Sequence, residues 1–450
     1  MSELQVGLLI LVVTTAVLFS GFPIAWGLPL VAVVFLVAFK GPASLAVVPT
    51  QFMDELNSFA LLTIPLFILL GAAIGVSAAG KDIYNSLYRW LARVPGGLII
   101  ANILACGMFS AGGRPPPPPP PALPKGGPPA TAAAIGKAGV PEMIRRGVPP
   151  ALATGAICAG GTLGILIPPS ITLILYGIAT ETSIGRLFLS GVVPGIVLVV
   201  FFSAWAWFAT LVARRELVVV DERFTLKEKM EGMVRVGPFL AIIAAIAYFM
   251  YGGLATPPEI AAIGAFLALI LVIVIYRTWR MSDLQHIFRD TVRESSMILM
   301  IIAAAALFSY MMSLLYVTQS SAEWLVSIQL NKWVLLAAIN VFLLLMGCFL
   351  PPVAIILMVM PILTPVLEAN DFDLIWFAVL LTINLEVGLI TPPVGLNLYV
   401  LRGVAPEVPL GVVLRGSVPY VFIMIGFMVL LCFVPGIATW LPDTLMGPGH

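Results

Sequence analysis

Gly164-Ile-Leu-Ile-Pro168-Pro169-Ser170 and, 224 residues further on, Gly388-Leu-Ile-Thr-Pro392-Pro393-Val394 are two Gly/Pro breaks set in otherwise hydrophobic sequence. A tandem proline removes two backbone donors and cannot continue the preceding helical turn. Each break is therefore expected to interrupt a helix about midway. Around them the chain is 60% hydrophobic and only 10% charged, with a mean hydropathy of +1.08. A soluble globular chain carries about 25% charged residues. Apolar runs long enough for a roughly 30 Å hydrocarbon core recur throughout, so the sequence reads as an all-α polytopic membrane protein. Backbone carbonyls freed at membrane depth are tolerated only where protein, water or an ion satisfies them. Two such breaks in corresponding halves point to the binding site of a secondary transporter.

Hydropathy places spans near 4–20, 24–39, 57–78, 187–212, 237–251, 258–276, 294–317 and 417–439, with the two broken segments at 150–182 and 374–401. That makes about ten spans. Residues 98–111 and 130–136 are too short to cross separately and read as the limbs of a re-entrant hairpin. Residues 333–350 and 353–367 flank a Gly/Pro tip, Gly347-Cys348-Phe-Leu-Pro351-Pro352, and read as a second hairpin. Residues 214–235 read as an amphipathic surface helix, and 277–293 as a basic loop. The N-terminus lacks a basic n-region and cleavage site, so residues 4–20 are expected as a retained first span.

Charge placement tests this layout. With the N-terminus outside and both hairpins re-entrant, the cytoplasmic loops hold all 23 Lys/Arg residues except Lys40, Arg114, Lys125, Arg186 and Lys332. That is a strong positive-inside bias. Turning either hairpin into a single span would invert every loop between them and destroy the agreement. The hairpins then enter from opposite sides, as an inverted repeat requires. The flanks match as well: Tyr176 with Tyr399, and Gly191-Val-Val-Pro194 with Gly416-Ser-Val-Pro419, each within one residue of the register.

The candidate site residues are those at the breaks and tips: Gly160, Gly161, Thr162, Gly164, Pro168, Pro169, Ser170 and Thr172 in the first half, and Gly347, Cys348, Pro351, Pro352, Glu386, Gly388, Thr391, Pro392, Pro393, Gly395 and Asn397 in the second. Hard cations such as Na⁺ take oxygen ligands, which unwound carbonyls and hydroxyls supply without a full charge. Helix N-termini beginning after Pro169 and Pro393 direct positive dipole ends at the midplane, where a substrate carboxylate fits. Glu386 is the one acidic residue clearly within a span, a functional candidate by cost alone; a role in ion coupling or protonation, and a carboxyl that is simply neutral or satisfied by backbone at the break, are both open readings. Glu181 and Arg186 read as a local pair or interface contacts. Cys106, Cys158, Cys348 and Cys432 form no CxxC pair and read as small core residues. His286 and His450 form no cluster, and neither a nucleotide motif nor a nucleophile–base constellation exists. The chain is read as no enzyme, with no cofactor beyond a coupling ion and no nucleic-acid partner.

At this point the motifs carry a resemblance. GGTLGILIPPSITLILYGIATETSIGRLFLSGVVPG (160–195), IPLFILLGAAIG (64–75), ATAAAIG (130–136) and INLEVGLITPPVGLNLYVLRG (383–403) resemble the large membrane subunit of tripartite ATP-independent periplasmic (TRAP) transporters. GCFLPPVAIILMVMPIL (347–363) is most similar to the C4-dicarboxylate branch. The resemblance implies an elevator-type fold of the ion transporter superfamily in a bacterial inner membrane, coupled to Na⁺. It implies a small four-helix membrane partner and a periplasmic binding protein that delivers an organic acid, with a C4-dicarboxylate expected. One sodium site would lie at Gly347, Gly388 and Thr391, the other at the first hairpin tip with Gly160 to Ser170. The expected organisation is N-terminal scaffold helices at 1–95, a first transport repeat at 96–185, scaffold and arm helices at 186–325, a second repeat at 326–403 and a C-terminal helix at 404–450. A stand-alone Na⁺/dicarboxylate symporter and a non-transporting membrane scaffold are the rival readings.

One stretch departs from the family pattern. Between Ala111 and Ala130, where the resemblance implies a short serine-containing tip, this chain reads Gly112-Gly-Arg114, seven prolines (115–121), Ala-Leu-Pro-Lys125 and Gly-Gly-Pro-Pro129. Such a run favours polyproline II and is longer than the tip it replaces. We read it as a local reading-frame or sequencing error; a genuine run would leave the first ion site without its serines. Resequencing the coding DNA across residues 112–129 is expected to restore a serine-containing tip, and a confirmed proline run would contradict the error.

Overall fold

The structure is a computed structural model describing residues 2–77, 79–112, 128–212, 224–327 and 331–447. The described residues are helical, with no strand. Six helices are long and apolar enough to cross a bilayer: Phe59–Val76, Ile184–Val212, Pro257–Ile275, Met281–Leu314, Pro352–Ala369 and Leu410–Phe433. Shorter apolar helices, among them Glu3–Phe19, Ile24–Lys40, Lys332–Gly347 and Leu374–Leu389, accompany them. A 17-residue helix such as Glu3–Phe19 extends roughly 25 Å, about one turn short of the hydrocarbon thickness.

Several helix starts outside the breaks carry local signals. Ser2 with Gln5, Thr225 with Glu228 and Thr256 with Glu259 form capping boxes. The Asp373 carboxylate accepts from the backbone N–H of Ile375 at 2.7 Å and Trp376 at 3.0 Å. These side chains satisfy donors that would otherwise have no partner in the first turn.

Three local expectations change. The basic stretch 277–293 is no loop: from Met281 it is the first half of a 34-residue helix running to Leu314. Its buried residues Ile287, Thr291, Glu294, Ser295 and Ile298 repeat at helical spacing, and the helix packs on Ile24–Lys40, Val48–Leu56 and Thr63–Val76. The basic charges lie on the other faces, and the buried face mixes Ile287 and Ile298 with Thr291, Glu294 and Ser295, a pattern that average charge does not show. Within 214–235, the helix begins at Leu226 and continues to Tyr251, while residues 213–223 lie outside the described residues. Arg186 does not pair with Glu181. It donates to the Asp443 carboxylate and, at 2.7 Å, to the Gly447 carbonyl, tying the start of Ile184–Val212 to the C-terminal helix Gly436–Met446. The separation of 257 residues hid this partner.

The first hairpin is Gly97–Gly112 followed by Pro128–Arg145, and the second is Lys332–Gly347 followed by Pro352–Ala369. The second limb of the first extends well beyond the expected 130–136. The proline run at 113–127, with the tip it replaces, lies outside the described residues. The first broken helix has limbs Pro150–Gly160 and Ile171–Ala179, joined by a short turn at Leu163–Ile165; the second has limbs Leu374–Leu389 and Leu396–Val404. The packing is reciprocal. Pro128–Arg145 of the first hairpin lies against its own Pro150–Gly160 and against Leu396–Val404 of the other break. Lys332–Gly347 lies against Leu374–Leu389, and Pro352–Ala369 against Ile171–Ala179.

Leu410–Phe433 completes this body by packing along Pro150–Gly160. There the two backbones meet with no side chain between them. A Cβ on Gly155 would fall 2.1 Å from the Gly416 carbonyl oxygen, and one on Gly416 only 1.9 Å from that of Ala151. Gly411 and Gly426 on the same helix face open space. Gly416→Ala is therefore expected to destabilise the protein by roughly 1–3 kcal/mol through overpacking, whereas Gly411→Ala and Gly426→Ala are expected to leave the thermal unfolding midpoint nearly unchanged; equal shifts in all three would contradict the contact.

Candidate functional site

Both breaks contain a Pro-Pro pair, Pro168-Pro169 and Pro392-Pro393, each joined by a cis peptide bond; the helices before them stop at Gly160 and Leu389, and each pair lies in the non-helical stretch between the two limbs. What surrounds them differs. At the first break, Gly160 lies against Cys106, and a Cβ on Gly161 would fall 2.8 Å from that of Ala132, so the limbs of the first hairpin close directly on these glycines. Gly164 sits in the short turn Leu163–Ile165, half-buried like Pro168 and Pro169. Ser170 and Thr172 are buried. The Ser170 hydroxyl accepts from the Leu173 N–H at 3.3 Å and donates to the Ile165 carbonyl. It thus caps the following helix and ties the break to itself.

The second break has no such cap. Gly395 precedes Leu396–Val404 with φ +54°, a left-handed conformation that favours glycine. The leading N–H groups of that helix have no side-chain acceptor. Thr391 donates to the Val387 carbonyl at 2.6 Å, leaving its lone pairs available. Pro392 and Pro393 are exposed. Gly388 faces the second hairpin tip: a Cβ there would fall 2.6 to 2.8 Å from backbone atoms of Gly347, while one on Gly347 would make ordinary contact, 3.5 Å from the Gly388 Cα. Gly347 and Cys348 are buried beside this crossing, Pro352 is buried and Pro351 half-buried at the tip. The structure thus brings Gly347 and Gly388 together, with Thr391 one turn further on.

Polar side chains join the two breaks. Thr162 donates to the Ala159 carbonyl at 2.8 Å, and its hydroxyl oxygen lies 3.4 Å from Glu386 Oε2. Asn397 donates through Nδ2 to the Cys158 carbonyl at 3.1 Å. Among the described residues, three buried oxygens at this site, Glu386 Oε1, Asn384 Oδ1 and Asn397 Oδ1, have no hydrogen-bond partner. An unpartnered buried acceptor costs about 1–3 kcal/mol, and a charged one more. The expectation that backbone at the break satisfies Glu386 therefore does not hold; its contact is a hydroxyl from the other half of the chain.

Two features escape the sequence reading. Asn384 donates to both the backbone and side-chain oxygens of Asn340, at 2.8 and 2.9 Å, clasping the second hairpin to the second broken helix. The signal was present, since each is an asparagine within an apolar run. Tyr176 donates to the Leu374 carbonyl at 2.7 Å, fixing the first broken helix to the start of the second; only the three-dimensional arrangement reveals that partner. Cys106, Cys158 and Cys348 are buried, Cys432 is partly buried, and all four are free thiols.

Comparison with known proteins places this arrangement. A permease protein from Pseudomonas aeruginosa, named for C4-dicarboxylate TRAP transport, is 33% identical over 90% of this chain and 91% of its own length. The isethionate TRAP transporter permease protein DctMQ of Oleidesulfovibrio alaskensis is 30% identical over 93% of this chain and 63% of that protein. In structure, the chain resembles the crystal structure of the YdaH transporter of Alcanivorax borkumensis, with a TM-score of 0.65 at 16% identity over 92% of this chain and 91% of that one, which supports the fold. Residues 11–437 match the family described as "Tripartite ATP-independent periplasmic transporter, DctM component". The chain belongs to that family: it is a TRAP transporter large permease subunit, a multi-pass membrane protein and not an enzyme.

Proposed function

We propose that the chain imports an organic acid, a C4-dicarboxylate in the first instance, on a Na⁺ gradient across a bacterial inner membrane. The observation that carries this reading is the crossing of the two breaks, where uncapped helix N–H groups and unpartnered oxygens converge within an apolar protein. One Na⁺ is assigned to Gly347, Gly388 and Thr391, whose close backbone approach offers carbonyls beside a hydroxyl. A second is assigned to the first hairpin tip with Gly160 to Ser170. The substrate carboxylate is assigned to the uncapped N-terminus of Leu396–Val404, where N–H groups and the helix dipole favour an anion. Because relatives are named for different acids, C4-dicarboxylate and isethionate, the choice of acid is assigned in part to a periplasmic binding protein. A small four-helix membrane subunit is the other partner.

Movement is proposed to be of the elevator type, with the two hairpins and two broken helices travelling as one body built from an inverted repeat. The reciprocal packing of each hairpin on the opposite break supports this. Contact between Gly155 and Gly416 leaves no room for sliding. Leu410–Phe433 therefore travels with the breaks, which widens the moving body beyond residues 96–185 and 326–403.

Reconstitution in liposomes tests the reading. Uptake of a labelled C4-dicarboxylate is expected only with an inward Na⁺ gradient, the small subunit and the binding protein all present. Uptake by the chain alone would favour a stand-alone symporter, and no uptake of any organic acid by the complete assembly would favour a scaffold role. In the same assay Gly388→Ala is expected to reduce uptake at least tenfold, because its methyl group meets the Gly347 backbone, while Gly347→Ala keeps most of it.

A further inference from the structure

Thr162 and Glu386 each stand two residues ahead of the glycine of their break, Gly164 and Gly388, and they meet across the molecule. Glu386 is fully buried, and no ion pair reaches it among the described residues. Its Oε1 has no partner among the described residues. Its Oε2 lies within reach of the hydroxyl of Thr162, whose single proton can go to it or to the Ala159 carbonyl at 2.8 Å, and the shorter contact takes it. Two lone pairs therefore face each other at 3.4 Å. That separation is long for a shared proton, since O–H···O pairs are about 2.7–2.8 Å apart. It suits a shared hard cation: with oxygens at roughly 2.3–2.6 Å from the ion, two ligands at right angles lie roughly 3.3–3.7 Å apart.

We propose that Glu386 and Thr162 together hold one monovalent cation, at a position separate from Gly347, Gly388 and Thr391. One carboxylate with no other charge beside it is neutralised by a single positive charge, which selects a monovalent ion over a divalent one. The separation of the two positions follows from helix geometry. Residues two apart on a helix do not share a face, so Gly388 turns to the second hairpin while Glu386 turns to the first break. Glu386 Oε1 supplies a further ligand. The unpartnered Asn397 Oδ1, on a side chain anchored to the Cys158 carbonyl one turn before Thr162, leaves another acceptor nearby. The cation thus bridges the two halves of the chain. The inference rests on the Na⁺-coupled reading and deepens it, naming Thr162 with Glu386 as ligands of the Na⁺ assigned to the stretch Gly160 to Ser170.

The test is thermal unfolding of the full-length chain in lipid nanodiscs over a NaCl titration, with choline chloride holding ionic strength constant. Wild type is expected to be stabilised by Na⁺. Glu386→Gln, of the same shape without the charge, is expected to raise the half-maximal Na⁺ concentration about tenfold or more. Thr162→Val is expected to raise it several-fold, and Thr162→Ser to retain the wild-type value, which a purely packing role for Thr162 would not produce. A Glu386→Gln protein with an unchanged Na⁺ midpoint would overturn this position while leaving Na⁺ coupling intact. No Na⁺ response in wild type would overturn both. Should Glu386→Gln fail to fold, the Thr162→Val and Thr162→Ser pair decides, and equal midpoints in the two would overturn the proposal.

Discussion

Everything at the centre of this protein depends on the treatment of polar groups that cannot reach water. Two helices are broken by Pro-Pro pairs inside an apolar body, and each break frees backbone groups where unsatisfied ones are costly. The first break is closed by its own residues, through the Ser170 hydroxyl between Leu173 and Ile165. The second is left open, with Gly395 providing a left-handed turn and no side-chain cap. Between them run the contacts of Thr162 with Glu386 and of Asn397 with the Cys158 carbonyl. An arrangement that satisfies one break internally and leaves oxygens unpartnered at the other is a poor way to build a structural core. It is a reasonable way to build a binding site whose occupants supply the missing partners.

Glycine sets the distances at which this can happen. Gly388 against Gly347, and Gly155 against Gly416, are places where backbones touch without side chains. Close approach of this kind lets carbonyls from separate helices converge on one small ion, and small residues at helix crossings are how membrane helices gain packing energy. The same contacts also join elements into bodies. Leu410–Phe433 is locked to the first broken helix at Gly416, and Tyr176 with Asn384 joins the broken helices to each other and to the second hairpin.

Much of this was legible in the sequence because its causes are local. A Pro-Pro pair cannot sit inside a helix and marks a boundary, so both breaks and the second hairpin tip could be placed from residues alone. Glu386 was marked by its cost within an apolar run. What could not be read depended on partners distant in sequence. Arg186 bonds Asp443 and Gly447 rather than nearby Glu181, and Glu386 finds Thr162 rather than its own backbone. The basic stretch after Met281 carries enough charge to read as a loop, yet it is helical, with Ile287, Thr291 and Ile298 on one buried face. Composition averages over the faces of a helix, and tertiary packing does not.

The central claim is that the two breaks form one site for Na⁺ and a carboxylate. The most direct measurement is a cryo-EM structure of the chain with its small subunit, in NaCl with saturating C4-dicarboxylate. The account predicts substrate density at the N-terminus of Leu396–Val404 and ion density beside Gly347, Gly388 and Thr391. Substrate density elsewhere, with both breaks packed shut and free of ions, would contradict it.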